Sequence, residues 1–181
     1  MILNPLNSVK TTYNGTVPIL MLMRHGKSNW GGSWASDHER PLAPRGTRAA
    51  AHIGRFLTDT GYQPSVVVSS TAARAETTAR LAADSGQWDC DILLEQRLYG
   101  GNPEIVLDVV RSLDSRYACA LLVGHNPTWE ETTSLLIGGG RFRFPTAAIA
   151  CFEIEGAWAH ARPGQADLRW FVTPRQLEGP E

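Results

Sequence analysis

Ile19-Leu-Met-Leu-Met-Arg-His-Gly-Lys-Ser28 governs how the whole chain reads. Its first half, opened by Val17-Pro18, is a short run of large apolar residues, the pattern of a strand buried on both faces. The run stops at Arg24-His25-Gly26, so a charged pair sits at the C-terminal end of a buried strand. Open α/β sheets bind ligands along that edge, and a glycine there lets the backbone turn and present its N–H groups. Arginine beside histidine points to phosphate chemistry, because a guanidinium grips phosphate oxygens with a planar fork and a neutral imidazole can attack phosphorus. A surface pair at any strand end would look the same over ten residues, so the remaining elements carry the decision.

Before this strand, residues 1–16 are rich in Asn, Thr, Ser and Gly without a period and read as a loose arm; residues 17–181 read as a single domain. After it, Trp30-Gly-Gly-Ser-Trp-Ala-Ser-Asp-His-Glu-Arg-Pro-Leu42 is too irregular for an element and suits a functional loop. Pro44 and Gly46 punctuate the chain before a helix from Thr47, apolar at Ala49, Ile53, Phe56 and Leu57, with Gly61 as its stop. Ser65-Val-Val-Val-Ser69 is a second buried strand whose tip runs into a helix expected to carry Ser or Thr caps, with Arg74 in its first turn. A cation is misplaced at a helix N-terminus unless it faces a bound anion that the same terminus favours.

Asp91–Leu94 reads as a short strand, followed by a helix over about residues 104–114. Cys119-Ala-Leu-Leu-Val123 repeats the buried-strand pattern and ends in Gly124-His125-Asn-Pro, with Pro127 placed to begin a helix. Residues 148–154 and 168–172 are late strands without a helix between them, so they can pair as a hairpin. The expected fold is α/β: a three-layer αβα sandwich with a mostly parallel central sheet and an antiparallel C-terminal part.

The composition sets limits. Seventeen Lys and Arg against eighteen Asp and Glu give a formal charge of −1, so no basic stripe argues for nucleic acid or an anionic membrane. No apolar run approaches a membrane span and residues 1–16 lack a signal-peptide core, from which a soluble, cytoplasmic protein is expected. Three scattered cysteines, Cys90, Cys119 and Cys151, fit a reducing compartment. No His/Cys/carboxylate cluster has metal-ligand spacing, and neither a metal nor a cofactor is expected.

Arg24-His25-Gly26, then Arg74 within Ser-Ser-Thr-Ala-Ala-Arg-Ala-Glu-Thr-Thr-Ala, then Gly124-His125-Asn-Pro, in this order, resembles the histidine phosphatase superfamily with its phosphoglycerate-mutase-like fold. Arg40-Pro-Leu-Ala-Pro-Arg-Gly46, Leu98-Tyr99-Gly100 and Phe144-Pro-Thr-Ala-Ala148 are similar to the short bacterial SixA-type phosphohistidine phosphatases. The resemblance covers roughly residues 18–172.

It implies that His25 is the nucleophile that becomes phosphorylated, that Arg24 and Arg74 clamp the phosphoryl oxygens, and that His125 donates a hydrogen bond to the transition state. On this reading His125 works best as a protonated donor. Ser28 would add a contact to the phosphate. Attack requires a neutral His25 with one nitrogen's lone pair free, so the other nitrogen is expected to donate, to a backbone carbonyl. The flanking arginines are expected to push its pKa down.

The departures are informative too. Gln96 stands where mutases of the superfamily carry a carboxylic acid, Asn126 stands where phytase-like members have Asp, and Gly31 replaces an asparagine of the nucleophile loop. Glu95, Asp37 and Glu131 are the acids left that could reach the site from nearby segments. Without a general acid the expected substrate is phosphohistidine on a protein, a P–N bond. The alternatives are a phosphomonoesterase acting on a small phosphorylated metabolite and a non-catalytic module that holds phosphate.

Overall fold

The structure, a computed structural model, describes residues 17–177. The arm expected over residues 1–16 lies outside the described residues. A six-stranded sheet in the order β3-β2-β4-β1-β5-β6 is built from β1 (Ile19–Arg24), β2 (Val66–Ser69), β3 (Asp91–Leu94), β4 (Cys119–Gly124), β5 (Ile149–Ile154) and β6 (Ala166–Val172). The first four run parallel to one another, whereas β5 pairs antiparallel with β1 and β6 antiparallel with β5. The late hairpin and the mostly parallel sheet are as the sequence predicts.

Alternation along the central strands divides the core in two, because successive side chains point to opposite faces of a sheet. Leu20, Leu22, Val66, Val68, Ala120 and Leu122 face the layer of α3 (Pro103–Arg111) and α4 (Thr128–Leu136). Met21, Met23, Val67, Leu121 and Val123 face α1 (Pro44–Asp59) and α2 (Ala73–Gly86). A short α5 (Pro174–Leu177) packs against α1. The result is the expected three-layer αβα arrangement.

Some boundaries differ, for local reasons. Helix α1 begins at Pro44 rather than Thr47, since proline's fixed φ and missing N–H suit the first helical turn. Helix α3 ends at Arg111, leaving Leu113 outside the helix but still packed on the core. The expected Ser or Thr cap of α2 is absent: Ala72 is the N-cap with no side-chain bond, and its N–H instead donates to Ser70 Oγ at 3.3 Å. The arriving strand has already placed its hydroxyls below the helix.

Candidate active site

Register brings the polar strand tips together. Arg24 lies opposite Gly124 across the β1–β4 pair, and Val123 lies opposite Ser69 across the β4–β2 pair. The residues immediately after these strands, His25, His125 and Ser70, are therefore neighbours at one sheet edge. The His25 N–H donates to Gly124 O at 3.0 Å and the Ser70 N–H to Val123 O at 2.9 Å, extending the ladder one step beyond the strands.

His25 is 7% exposed, and its ring centroid lies 5.0 Å from that of His125. Its Nδ1 is 2.7 Å from the Gly26 carbonyl oxygen, which can only accept, so Nδ1 carries the proton and Nε2 the lone pair. Arg74, in the first turn of α2, reaches this Nε2 with Nε at 3.3 Å. Burial pushes the His25 pKa down to about 3, with His125, Arg74 and Arg24 as further causes. The arginines act in the expected direction, but desolvation dominates.

The turn after His25 depends on two glycines. A Cβ on Gly26 would lie 2.7 Å from Gly46 O, and one on Gly46 would lie 2.2 Å from Lys27 O. The N-terminus of α1 thus packs directly on the backbone of the His25 loop, while the Gly26 N–H donates to Thr78 Oγ1 of α2 at 3.0 Å.

Arg24 donates from Nη1 to Phe144 O at 2.6 Å, and its buried Nε has no partner among the described residues. His125 contacts Ser70 Oγ through Nε2 at 2.9 Å, and its buried Nδ1 likewise has no partner among the described residues. These are unused polar atoms on adjoining strand ends, and buried polar groups ordinarily find partners. The sequence expectation that His125 stays protonated is corrected here: burial first, then the charge of Arg74, lowers its pKa to about 4. It is a neutral imidazole near pH 7, and a neutral imidazole still has one N–H to donate.

Asp37, from the loop between β1 and α1, closes the array. Its Oδ2 accepts from Arg74 Nη2 at 2.9 Å and from the Tyr99 hydroxyl at 3.1 Å, while Oδ1 accepts from Arg40 Nε at 3.0 Å and Nη2 at 2.8 Å. Arg74 Nη1 also donates to Asp37 O at 2.7 Å. The buried Ser28 hydroxyl accepts from Arg40 Nη1. The Tyr99 ring stands edge-on to both His125 and His38, at 5.6 and 4.8 Å between centroids.

The model of the histidine phosphatase superfamily (branch 1) matches residues 20–100, which span His25 and Arg74. A protein of Mycobacterium tuberculosis described as uncharacterized is 36% identical over 163 residues, covering 84% of this chain and all of its own length. The chain belongs to the histidine phosphatase superfamily. The structure of a proposed phosphohistidine phosphatase SixA from Nakamurella multipartitia is similar, at 29% identity and a TM-score of 0.76, over 88% of this chain and 98% of that one. The protein histidine phosphatase SixA complexed with tungstate shares the fold, at 23% identity and a TM-score of 0.78, over 88% and 99%.

Membership, together with the 29%-identical SixA-like neighbour, supports a phosphatase. The sequence-based set of Arg24, His25, Arg74 and His125 comes together at one sheet edge, and Ser28 is joined to it through Arg40 and Asp37. Of the candidate acids, Glu95 accepts three hydrogen bonds from Arg97, from Nε at 3.0 Å, Nη2 at 2.8 Å and the backbone N–H at 3.0 Å, and that contact holds its carboxyl below the usual range. Glu131 is exposed on α4 and lines a separate groove beside the Gly138–Gly140 turn. Asp37 does touch the site, and its bonds to Arg40 first of all hold it below the usual carboxylate range. Tyr99, Arg40, Ser70 and Thr78 join the site without having been marked as site residues by the sequence. Asp37 and Arg40 do offer a signal there, an acid and a base three residues apart in a loop with no helix to explain them.

No helix among the described residues is long and apolar enough to cross a membrane.

Proposed function

We propose that this superfamily member is a metal-independent phosphohistidine phosphatase that works through a covalent phosphohistidine at His25, on phosphorylated protein in the cytoplasm. The observation that carries the reading is the fixed tautomer of His25, with Nδ1 bound to the Gly26 carbonyl and Nε2 left as a lone pair beside Arg74. Nε2 attacks phosphorus, the bond to the leaving nitrogen breaks with its electron pair going to that nitrogen, and the phosphoryl group rests on His25 until water removes it. Arg24 and Arg74 neutralise the equatorial oxygens, which is most of what phosphoryl transfer asks of a protein. If the Ser70 hydroxyl donates to His125 Nε2, then His125 Nδ1–H becomes a free donor for a third oxygen. With arginines supplying the positive charge, the chemistry has no need of a metal.

The choice of a P–N bond rests on the acids. Glu95 is tied to Arg97, Glu131 lies on another groove, and Asp37 is held ionised, so a proton donor for an alkoxide is missing among the candidates. An alkoxide needs that proton, being the base of a group with a pKa near that of water, about 15.7. Imidazole, whose conjugate acid has a pKa of about 6.5, leaves as a neutral ring when its distal nitrogen already carries a proton, with none needed at the breaking bond. The free cysteines Cys90, Cys119 and Cys151 fit a reducing compartment.

A series of phosphate esters with leaving groups of rising pKa tests this reading. A steep fall in rate, with phosphohistidine turned over far faster than phosphoserine, is expected. Comparable rates on both would make the protein a phosphomonoesterase with a working acid.

A further inference from the structure

Asp37 presents a puzzle for a phosphate site: an ionised carboxylate touches the arginine that should receive the phosphoryl group. Its side chain is 52% exposed whereas that of Arg74 is 6% exposed, so it stands toward the mouth of the site. A carboxylate offers about four lone-pair positions. All are taken, by Arg40 Nε and Nη2 on Oδ1 and by Arg74 Nη2 and the Tyr99 hydroxyl on Oδ2. Arg40 is itself braced, by the Ser28 hydroxyl and by the Trp30 ring 3.8 Å below its guanidinium. Asp37 is thus fixed independently of Arg74. A cleft of about 430 Å³ opens beside it, walled by Trp30, Trp34 and Arg40.

Arg74 Nη2 carries a second N–H beside the one that Asp37 accepts, and a phosphoryl dianion that draws the guanidinium toward His25 would pull it off Oδ2. That displacement frees one position on Oδ2 and leaves two negative groups close together. The repulsion is relieved when the leaving group brings an N–H or a positive charge and is felt in full when it brings only an ester oxygen. We infer that Asp37 selects the leaving group: released by Arg74, its Oδ2 accepts the distal ring N–H of a protonated phosphohistidine whose imidazole lies in the cleft beside Trp30 and Trp34. The inference rests on the phosphohistidine reading above and adds the residue that enforces it.

The step balances. His25 Nε2 forms a bond to phosphorus as the substrate's P–N bond breaks, and the electron pair returns to the substrate ring. The distal proton stays on its nitrogen beside Asp37, and a neutral imidazole departs. Asp37 therefore needs no proton of its own, in keeping with a carboxyl that Arg40 holds ionised.

The test compares kcat/KM for phosphohistidine and for p-nitrophenyl phosphate in the wild type, Asp37→Asn and Asp37→Ala, with vanadate affinity and thermal melting recorded for each. Both variants should lose at least about tenfold on phosphohistidine while keeping or gaining rate on the ester and binding vanadate at least as tightly. Equal losses on both substrates, or weaker vanadate binding, would show that Asp37 merely supports the arginines and would overturn the inference. Unchanged rates on phosphohistidine would overturn it as well. A wild type that does not prefer phosphohistidine over the ester would instead remove the functional reading on which it rests, and a preference kept by both variants would leave that reading standing without Asp37.

Discussion

The imidazole of His25 donates through Nδ1 to the carbonyl of its own neighbour, Gly26, at 2.7 Å. A histidine in water exchanges freely between tautomers, but a buried contact with a group that can only accept removes one of them. The bond links the nucleophile to the turn that α1 packs upon, so orientation and protonation are set by the same few backbone atoms. Nitrogen-15 NMR of selectively labelled protein should therefore show His25 as a single neutral form protonated at Nδ1 throughout pH 5 to 8. Signals of an equal tautomer mixture would contradict the site as described.

Arg74 is expected to be the arginine whose loss is felt most. It is buried and meets both His25 and Asp37, and it lies at the N-terminus of α2, where anions are favoured. Arg74→Ala should lower kcat/KM by about 10³-fold or more, in line with transition-state arginines elsewhere. Arg74→Lys should recover little of this, since a point charge cannot replace a fork holding several partners. Steady-state kinetics and vanadate titration on both variants decide the matter.

The rate should be insensitive to acid over an unusually wide range. His25 and His125 carry folded-state pKa values of about 3 and about 4, both lowered chiefly by burial, so both stay neutral well below pH 6. The profile should hold from neutrality to about pH 5 and fall only as these groups take up protons. Deprotonation of His125 should produce no falling limb above pH 7. Stability follows the same sign: an unfolded histidine, with a pKa of about 6.5, binds a proton that the folded one refuses. The contribution of each is complete above about pH 6.5 and is lost as the pH falls toward its folded value. Melting temperatures measured from pH 7 to pH 4 should therefore decline, and the decline should be smaller in a His25→Ala, His125→Ala double variant.

Gly46 is expected to be irreplaceable for a purely steric reason. A Cβ there would sit 2.2 Å from the Lys27 carbonyl oxygen, and both atoms belong to backbone that cannot rotate away. Gly46→Ala should cost about 1–3 kcal/mol as overpacking. At roughly 2–4 °C per kcal/mol for a chain of this length, calorimetry would resolve it. An unchanged melting temperature would mean that α1 does not rest on the His25 loop.

Much of this site is visible in the sequence because strands buried on both faces announce themselves as apolar runs, and the polar residues after each run are delivered to one sheet edge. That rule places His25, Arg74 and His125, and the chemistry of attack alone predicts the hydrogen bond that fixes His25. The charge state of His125 is not legible in the same way because burial is a property of packing: strand tips and Tyr99 enclose that ring, and no local pattern foretells how much water they exclude. Asp37 reads from the sequence only as a candidate acid for a similar reason. Its partners Arg40, Arg74 and Tyr99 come from a loop, a helix and the segment after β3, and only the folded chain reveals that they leave it ionised.

His25 is expected to carry the phosphoryl group between two half-reactions. The protein should be mixed with excess phosphohistidine, quenched within milliseconds to seconds in base, where phosphohistidine survives, and digested for mass spectrometry. One phosphoryl group is expected on the peptide containing His25, forming and decaying at rates that account for turnover, and the His25→Ala variant should show neither the adduct nor activity. Turnover with no phosphoryl group on His25 at any time, or activity retained in His25→Ala, would contradict the account.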